Sequence, residues 1–326
     1  MKKYDEQLER LHALKDEPPT PALTAEVRKA LGNKSNYLVG KAANVAAHHR
    51  TGDLIPDLIA AFERFLLNPV KTDPQCWAKK AIVKALSELG HDDPRVYLAG
   101  LRHVQNEPIW GGVADTAGPV RAQCAFALVQ CRSLPDVTLL SHLLHTLVDG
   151  EKEVRVEGAR AIANVGRMEA SLLLRLKALT GDTEPEVTGA CLAAVLSVER
   201  EAAVDFVCTF LEREGDLAAE AALALGLAKL PETVAPLAAR YRRERDNALA
   251  TMLLTALAVS HQNKAIEVLL DVIETEDTPR AVAALEAIFS ARVQGDGLLT
   301  RIRSAASLNP DPKVEQACGR LFPADH

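Results

Sequence analysis

The chain has 326 residues, of which 48% are hydrophobic and only 4% aromatic, so its core must be built mainly from Ala, Leu and Val. Such a core suits closely packed helices, and the shortage of aromatic residues argues against a strand-rich protein. The formal net charge of −6 excludes a global attraction to nucleic acid or membranes, and no apolar run approaches the roughly 20 residues that cross a bilayer.

The chain begins with the charged segment "MKKYDEQLERLHALKDEPP", where an exported protein would have the apolar part of a signal peptide. We interpret residues 1–20 as a polar cap helix followed by a linker, and we expect a cytoplasmic protein. The six cysteines form no CxxC pair, which in a chain without an export signal indicates packed apolar residues. Residues 323–326, "PADH", are expected to form a tail.

Residues 21–322 repeat a short pattern in which Ala is followed by apolar residues at helical spacing. The copies start at Ala46, Ala85, Ala127, Ala161, Ala194, Ala224, Ala256, Ala287 and Ala317. Successive starts are separated by 39, 42, 34, 33, 30, 32, 31 and 30 residues. A period near 30 to 34 indicates a stacked repeat architecture with about nine copies.

Each copy predicts two helices joined by turns that carry Asp, Gly and Pro. Residues 135–150 have apolar residues at i, i+3, i+4 and i+7, which predicts a first helix. Residues 152–166 are rich in small side chains and end on Gly, which predicts a second helix. Because two such helices cannot bury their apolar faces alone, neighbouring copies must stack. We therefore expect an all-α fold, an α-solenoid that forms one domain over residues 1–326.

Three of the second helices carry a family resemblance: "EVRVEGARAIANVG", "PVRAQCAFAL" and "DLAAEAALALGLAKL". They resemble the second helix of HEAT repeats, and the period resembles the short bacterial variety named after phycobilisome lyases. The resemblance implies a superhelix of about nine HEAT-like helix pairs. It also implies a scaffold or adaptor that binds a partner along a concave face lined by the second helices. Two minority branches of the family carry chemistry, as chromophore lyases and as alkylpurine DNA glycosylases.

The predicted second helices differ in charge along the chain. The windows 34–50, 76–90, 118–132 and 152–167 have a combined net charge of +9, whereas the five later windows sum to zero. Two interpretations remain open: these cations pair with acids of neighbouring repeats, or they are free to attract an anionic partner. On the second interpretation, the basic residues of the binding face are Lys41, Lys79, Lys80, Lys84, Arg121, Arg155 and Arg160.

The two widest spacings contain insertions between the first and second helix of a repeat, at residues 68–75 and 105–118. Insertions in adjacent repeats emerge on one edge of a solenoid, so we expect them to lie side by side. Trp77 follows the first insertion and Trp110 lies in the second. Since Trp is enriched at binding hot spots, both are candidate partner-binding residues. The alternative is that Trp110 folds back to fill its own repeat.

No motif in the chain predicts catalysis: a nucleophile elbow, a P-loop and a dinucleotide-binding fingerprint are all missing. His142 and His145 share a helix face but make only half of a tetrahedral metal site. We therefore expect a non-enzymatic, monomeric scaffold without cofactor or metal, which binds an acidic or extended protein segment. The alternative is a nucleic-acid-binding protein related to alkylpurine DNA glycosylases, for which the sequence offers Trp77, Trp110, Tyr37, Tyr97 and Asp115.

Overall fold

The computed structural model describes residues 2–295 and 297–323, and nearly all of its regular structure is helical. The chain divides into two compact units, residues 1–165 and 166–326. The prediction of a single domain is not tested by this division and stays a prediction. Most of the predicted tail, residues 324–326, lies outside the described range.

The first unit contains ten α-helices in its described part. They are α1 Lys2–Ala13, α2 Pro21–Leu31, α3 Asn36–His48, α4 Ile55–Leu66, α5 Pro69–Thr72, α6 Trp77–Glu88, α7 Pro94–Leu101, α8 Gly118–Val129, α9 Asp136–Leu143 and α10 Lys152–Ala163. Short 3₁₀ helices add Gly52–Leu54, Pro74–Cys76 and Leu144–Val148. Between α7 and α8 the strands β1 Asn106–Ile109 and β2 Gly112–Asp115 form a hairpin.

Within the first unit, the second helices of the repeats stack in chain order: α3 packs on α6, α6 on α8 and α8 on α10. The first helices α2, α4 and α7 pack against α3, α6 and α8, and the segment from α9 through Val148 packs against α10. Small and aliphatic side chains of these helices are buried, among them Ala42 and Ala43 of α3 and Ala78 and Ile82 of α6. The expected pairing of a first with a second helix is therefore present in four repeats of this unit's described residues.

The second unit repeats the arrangement with ten further helices among its described residues. They are α11 Met168–Thr180, α12 Pro185–Glu199, α13 Val204–Leu211, α14 Asp216–Leu227, α15 Val234–Arg243, α16 Asn247–Val259, α17 Asn263–Thr275, α18 Thr278–Ser290, α19 Leu298–Leu308 and α20 Pro312–Leu321. The helices α12, α14, α16, α18 and α20 stack in turn, each paired with the helix before it. Five pairs here and four in the first unit confirm the all-α repeat class and the count of about nine.

The turn chemistry of the sequence explains where many helices begin. Thr20 accepts a hydrogen bond from the Leu23 amide ahead of a Pro at the first helical position of α2. Asp93 caps α7 in the same way before Pro94, and Asp246 caps α16. These caps satisfy amides that have no partner within the helix, and they were visible in the sequence as Asp or Thr before Pro or an apolar run.

The first helix predicted over residues 135–150 is shorter than expected. It ends as an α-helix at Leu143 and continues as a 3₁₀ turn from Leu144 to Val148. Within this tighter turn Thr146 donates to the Leu143 carbonyl over 2.6 Å and packs against Gly158 of α10. A Cβ at Gly158 would lie only 2.0 Å from the Thr146 Oγ1, so the tight turn depends on glycine at that position.

Candidate partner-binding surface

The second insertion is an antiparallel β-hairpin rather than an irregular loop. Ile109 pairs with Gly112 across a two-residue turn, in which Gly111 has the positive φ of 87° that favours glycine. Trp110 stands fully exposed at this turn, with a relative accessibility of 102%. The interpretation in which Trp110 folds back into its own repeat is therefore wrong.

The two insertions meet at the side chain of Glu107, which confirms that they lie side by side. Its Oε1 accepts hydrogen bonds from the Gln75 amide, the Gln105 Nε2 and the Thr116 hydroxyl, each at 2.6 Å. Burial opposes ionisation of this carboxyl, but the three donors and nearby Lys79 hold its pKa below the ordinary value. The hairpin is thus anchored to the start of α6 by a buried carboxylate.

Lys79 is buried and does not belong to the binding face, contrary to the sequence-based expectation. Its side chain has no solvent exposure, and its Nζ lies 3.0 Å from Asp73 Oδ2 and 3.4 Å from the Phe65 carbonyl. Asp73 also accepts hydrogen bonds from the amides of Ala78 and Lys79 and from the Asn36 side chain. The ion pair thus joins the first insertion to the N-terminus of α6.

Arg121 and Arg155 are likewise removed from the binding face. Arg121 pairs with Asp115 at 2.6 Å and with Asp149 at 2.7 Å, and its side chain is only 5% exposed. Arg155 is also buried, and its Nη1 donates to the carbonyls of Asp149 and Gly150. Burial opposes ionisation of Asp115, but hydrogen bonds from two backbone amides and from Arg121 keep its pKa low. These cations bind the hairpin and the next turn together.

A sequence signal for this burial existed in the helical register. Lys79 lies three residues before Ile82, and both are on the buried face of α6. Arg121 precedes Cys124 by the same spacing on α8. The net charge of +9 was summed over whole helices, so it did not distinguish buried cations from exposed ones. The acids that pair with them, Asp73 and Asp115, are the residues that sequence reasoning did not assign to these roles.

Three lysines remain on the solvent-facing side of α3 and α6. Lys80 and Lys84 are exposed, and Lys41 is half-buried with its Nζ 5.1 Å from the centre of the Tyr37 ring. Lys84 approaches Glu88 at 3.7 Å, and both side chains are about half exposed. The seventh predicted cation, Arg160, is exposed on α10 and pairs with Glu157 at 2.6 Å.

Beside these lysines the rings of Tyr37 and Trp77 form the walls of a small pocket. Their centroids lie 5.7 Å apart with planes tilted by 56°, and Trp77 is 52% exposed. The pocket has a volume of about 120 Å³ and is lined by Asn36, Tyr37, Gly40, Lys41, Asn44, Trp77 and Ala81. We define the α3–α6 surface as Tyr37, Lys41, Asn44, Trp77, Lys80 and Lys84.

The hairpin and the α3–α6 surface are linked through Gln75. The Trp77 indole donates to Gln75 Oε1 over 3.0 Å, while the Gln75 amide donates to Glu107. Gln75 and Cys76 have positive φ values of 58° and 54°, which side chains other than glycine rarely adopt. The buried bonds from Glu107 and Asp73 hold this unfavourable backbone in place, and with it the orientation of Trp77.

The cysteines and histidines offer little chemistry in the described part of the chain. Cys76 is buried, and burial raises the pKa of its thiol to about 11, so the thiol stays protonated at neutral pH. Among residues 2–295 and 297–323, no three His, Cys, Asp or Glu side chains gather as a metal site requires. None of the helices over the same residues combines the length and apolar character needed to cross a bilayer.

Comparison with known proteins yields structural likeness only. No protein-family model and no curated protein matches the chain. Three solved structures are similar over most of their length: an engineered protein (16% identity, TM-score 0.34, 96% of this chain and 93% of that one), the complex of CpcE and CpcF of phycocyanin lyase from Nostoc sp. (17%, 0.37, 73% and 91%), and human deoxyhypusine hydroxylase in complex with glycerol (20%, 0.30, 78% and 89%).

These comparisons contradict the prediction that the chain is not an enzyme. Two of the three structures bear the names of enzymes, a lyase and a hydroxylase. A fold by itself neither assigns nor excludes catalysis. The non-enzymatic assignment is withdrawn. With identities of 20% or less and TM-scores of 0.37 or less, the likeness transfers no activity to the chain in its place.

Proposed function

We propose that the chain binds an anionic, extended segment of a protein partner through the α3–α6 surface and acts as a scaffold or adaptor. The observation that carries the proposal is the position of exposed Lys80 and Lys84 and half-buried Lys41 around a half-exposed tryptophan. The single acid of these two helices is Glu88, and an exposed lysine–glutamate pair is weak enough for a partner carboxylate to replace it. Lysines of this kind attract an anion, and Trp77 adds apolar contact area.

The hairpin tip supplies a second contact in this proposal. Ile109, Trp110 and Val113 are exposed together, with accessibilities of 54%, 102% and 67%. Exposed apolar side chains held on a hairpin are preorganised for binding, because little conformational freedom is lost when they are covered. Since Glu107 anchors the hairpin to the residue before Cys76, contact at the tip and contact at Trp77 belong to one connected element.

Nucleic acid is the alternative ligand, because an aromatic pair beside lysines also suits a stacked base. The formal charge of −6 favours a protein segment over it, since a partner with few carboxylates meets less overall repulsion than a polyphosphate. The proposal therefore takes an acidic protein segment as the partner and leaves nucleic acid as an outcome of the test.

Calorimetric titration with an acidic peptide and with single-stranded DNA of equal charge tests this proposal. We expect the peptide to bind, and the double variant Lys80→Ala, Lys84→Ala to weaken binding by roughly fivefold or more. The double variant Lys264→Ala, Lys313→Ala removes the same charge from exposed positions in the second unit and serves as the control. Equal binding by both variants, or tighter binding of DNA than of peptide, would overturn the proposal.

The contribution of the hairpin tip is measured in the same assay. Because the Trp110 side chain contacts solvent rather than the core, Trp110→Ala is expected to leave the free energy of unfolding within about 0.5 kcal/mol of wild type. We expect it to weaken binding of a peptide long enough to reach the tip. Unchanged affinity for such a peptide would remove Trp110 from the binding surface without affecting the lysines.

A further inference from the structure

The pocket bordered by Tyr37 and Trp77, which we call the slot, also has the small residues Gly40 and Ala81 in its lining. Gly40 of α3 faces α6 so closely that a Cβ there would already touch Ala81 Cβ and the Trp77 carbonyl, each at 3.5 Å. The two rings pack against each other at a centroid distance of 5.7 Å and a tilt of 56°, so the slot lies alongside this pair. The slot volume of about 120 Å³ is roughly that of four liquid water molecules, which suits one small apolar side chain.

Two polar groups at this slot have no partner within the described residues. The amide of half-buried Asn44 makes no hydrogen bond to any described group, and neither does the Tyr37 hydroxyl. The Lys41 ammonium lies over the Tyr37 ring and likewise has no acidic partner there. An amide that can both donate and accept suits the backbone of a bound extended chain, whose groups need partners when they leave water.

We infer that this slot takes a proline of an extended partner segment whose flanking residues are acidic. The inference rests on the proposed function and names the segment's chemistry. A proline ring packs flat against an aromatic face, here that of half-exposed Trp77. A polyproline-type chain has no internal hydrogen bonds, so its carbonyls are free to accept from Asn44 and Lys41. Its preformed extended shape also lowers the entropy lost on binding. The flanking carboxylates meet Lys80 and Lys84.

The test uses three peptides of about ten residues without Trp or Tyr. The first has a central proline flanked by glutamates, the second replaces that proline by alanine, and the third replaces the glutamates by glutamine. Trp110→Phe leaves Trp77 as the single tryptophan, because the chain has only two. We expect the first peptide to shift the Trp77 emission to shorter wavelength and to bind roughly tenfold more tightly than the alanine peptide.

Two variants separate the slot from the lysines. Asn44→Ala and Tyr37→Phe remove one polar group each, and we expect each to weaken the proline peptide by about three- to tenfold. Neither should change binding of the alanine peptide by more than about twofold. The circular dichroism spectrum and urea midpoint check that both variants are folded.

The outcomes distinguish the inference from the function it rests on. If the alanine and proline peptides bind equally and still respond to Lys80→Ala, Lys84→Ala, the proline inference is overturned and the proposed function stands. If the glutamine peptide binds as well as the glutamate peptide, or no peptide binds at all, both are overturned. Unchanged affinity for the proline peptide in both Asn44→Ala and Tyr37→Phe also removes the slot from the binding mode.

Discussion

At the scale of single residues, the neighbours Lys79 and Lys80 have opposite environments. Lys79 is fully buried against Asp73, whereas Lys80 points to solvent. We expect Lys79→Met to lower the free energy of unfolding by about 3–5 kcal/mol, because it leaves a buried carboxylate without its cation. Lys80→Met is the matched control and should stay within about 0.5 kcal/mol of wild type. Urea unfolding followed by circular dichroism measures both, and equal effects would contradict the assignment.

The buried carboxylate of Glu107 predicts a loss of stability in acid. Despite the opposing effect of burial, hydrogen bonds from Thr116, Gln105 and Gln75 lower its pKa, so the folded state binds fewer protons there than the unfolded state. The stabilisation is therefore complete above the ordinary carboxyl pKa of about 4.3 and is lost as the pH falls through the lowered value. Asp115, whose pKa is also lowered, adds to the loss.

Glu107→Gln should flatten this pH dependence. We expect the variant to be less stable than wild type at pH 7, because its amide accepts the three hydrogen bonds less strongly than a carboxylate does. Its free energy of unfolding should fall less between about pH 5 and pH 2. Glu153→Gln, at an exposed position of α10, is the control that should keep the wild-type slope. An unchanged slope in Glu107→Gln would show that this carboxyl does not contribute.

The sequence predicts the segment that carries the α3–α6 surface, but its charge count does not predict which of the basic side chains there are exposed. Trp77 and the exposed lysines were found because tryptophan and unopposed positive charge are visible in any single sequence. The burial of Lys79 and Arg121 could be read from helical register, but their partners could not, because Asp73 and Asp115 lie in the insertions rather than on the neighbouring helix. An ion pair between a helix and an irregular segment follows no periodic spacing, so helix periodicity alone cannot find it.

At the scale of elements, the hairpin was the largest departure from the sequence-based expectation. Residues 106–115 contain Pro108 and two consecutive glycines, which oppose regular strands when taken by themselves. The hairpin forms because Gly111 supplies the turn and because Glu107, Gln105 and Thr116 anchor it internally. Glu107 also accepts a hydrogen bond from Gln75 of the neighbouring insertion, and this tertiary contact helps to override the weak local propensity.

The stacking of the second helices of the repeats depends on close approach of their backbones at particular glycines. A Cβ at Gly226 of α14 would lie 2.4 Å from the Ala256 carbonyl of α16, which is fixed backbone. We expect Gly226→Ala to destabilise the protein by about 1–3 kcal/mol, because the two helices must separate. Gly319 of α20 has nothing within 4 Å of the same position, so Gly319→Ala should stabilise by about 0.5–1 kcal/mol through helix propensity. Thermal unfolding compares them, and effects of the same sign would refute this packing.

At the scale of the whole molecule, an acidic protein has a locally basic surface. The net charge is −6, yet residues 1–168 carry 22 Lys and Arg against 20 Asp and Glu. Of the seven cations predicted for the binding face, three are buried in internal contacts and Arg160 pairs with Glu157, so the three lysines of the α3–α6 surface remain for a partner. Repeat period and helix pairing could be read from the sequence because every copy repeats them.

The most direct test of the central claim is the salt dependence of binding to the glutamate-flanked proline peptide. Affinity is measured at about 50 mM and about 200 mM salt for three proteins. They are the wild type, the triple variant Lys41→Ala, Lys80→Ala, Lys84→Ala of the α3–α6 surface, and the triple control variant Lys229→Ala, Lys264→Ala, Lys313→Ala. We predict that wild type and control weaken together as salt rises, whereas the α3–α6 variant binds about tenfold more weakly at low salt and loses most of its salt dependence. The same affinity and the same salt dependence in all three proteins would contradict the account.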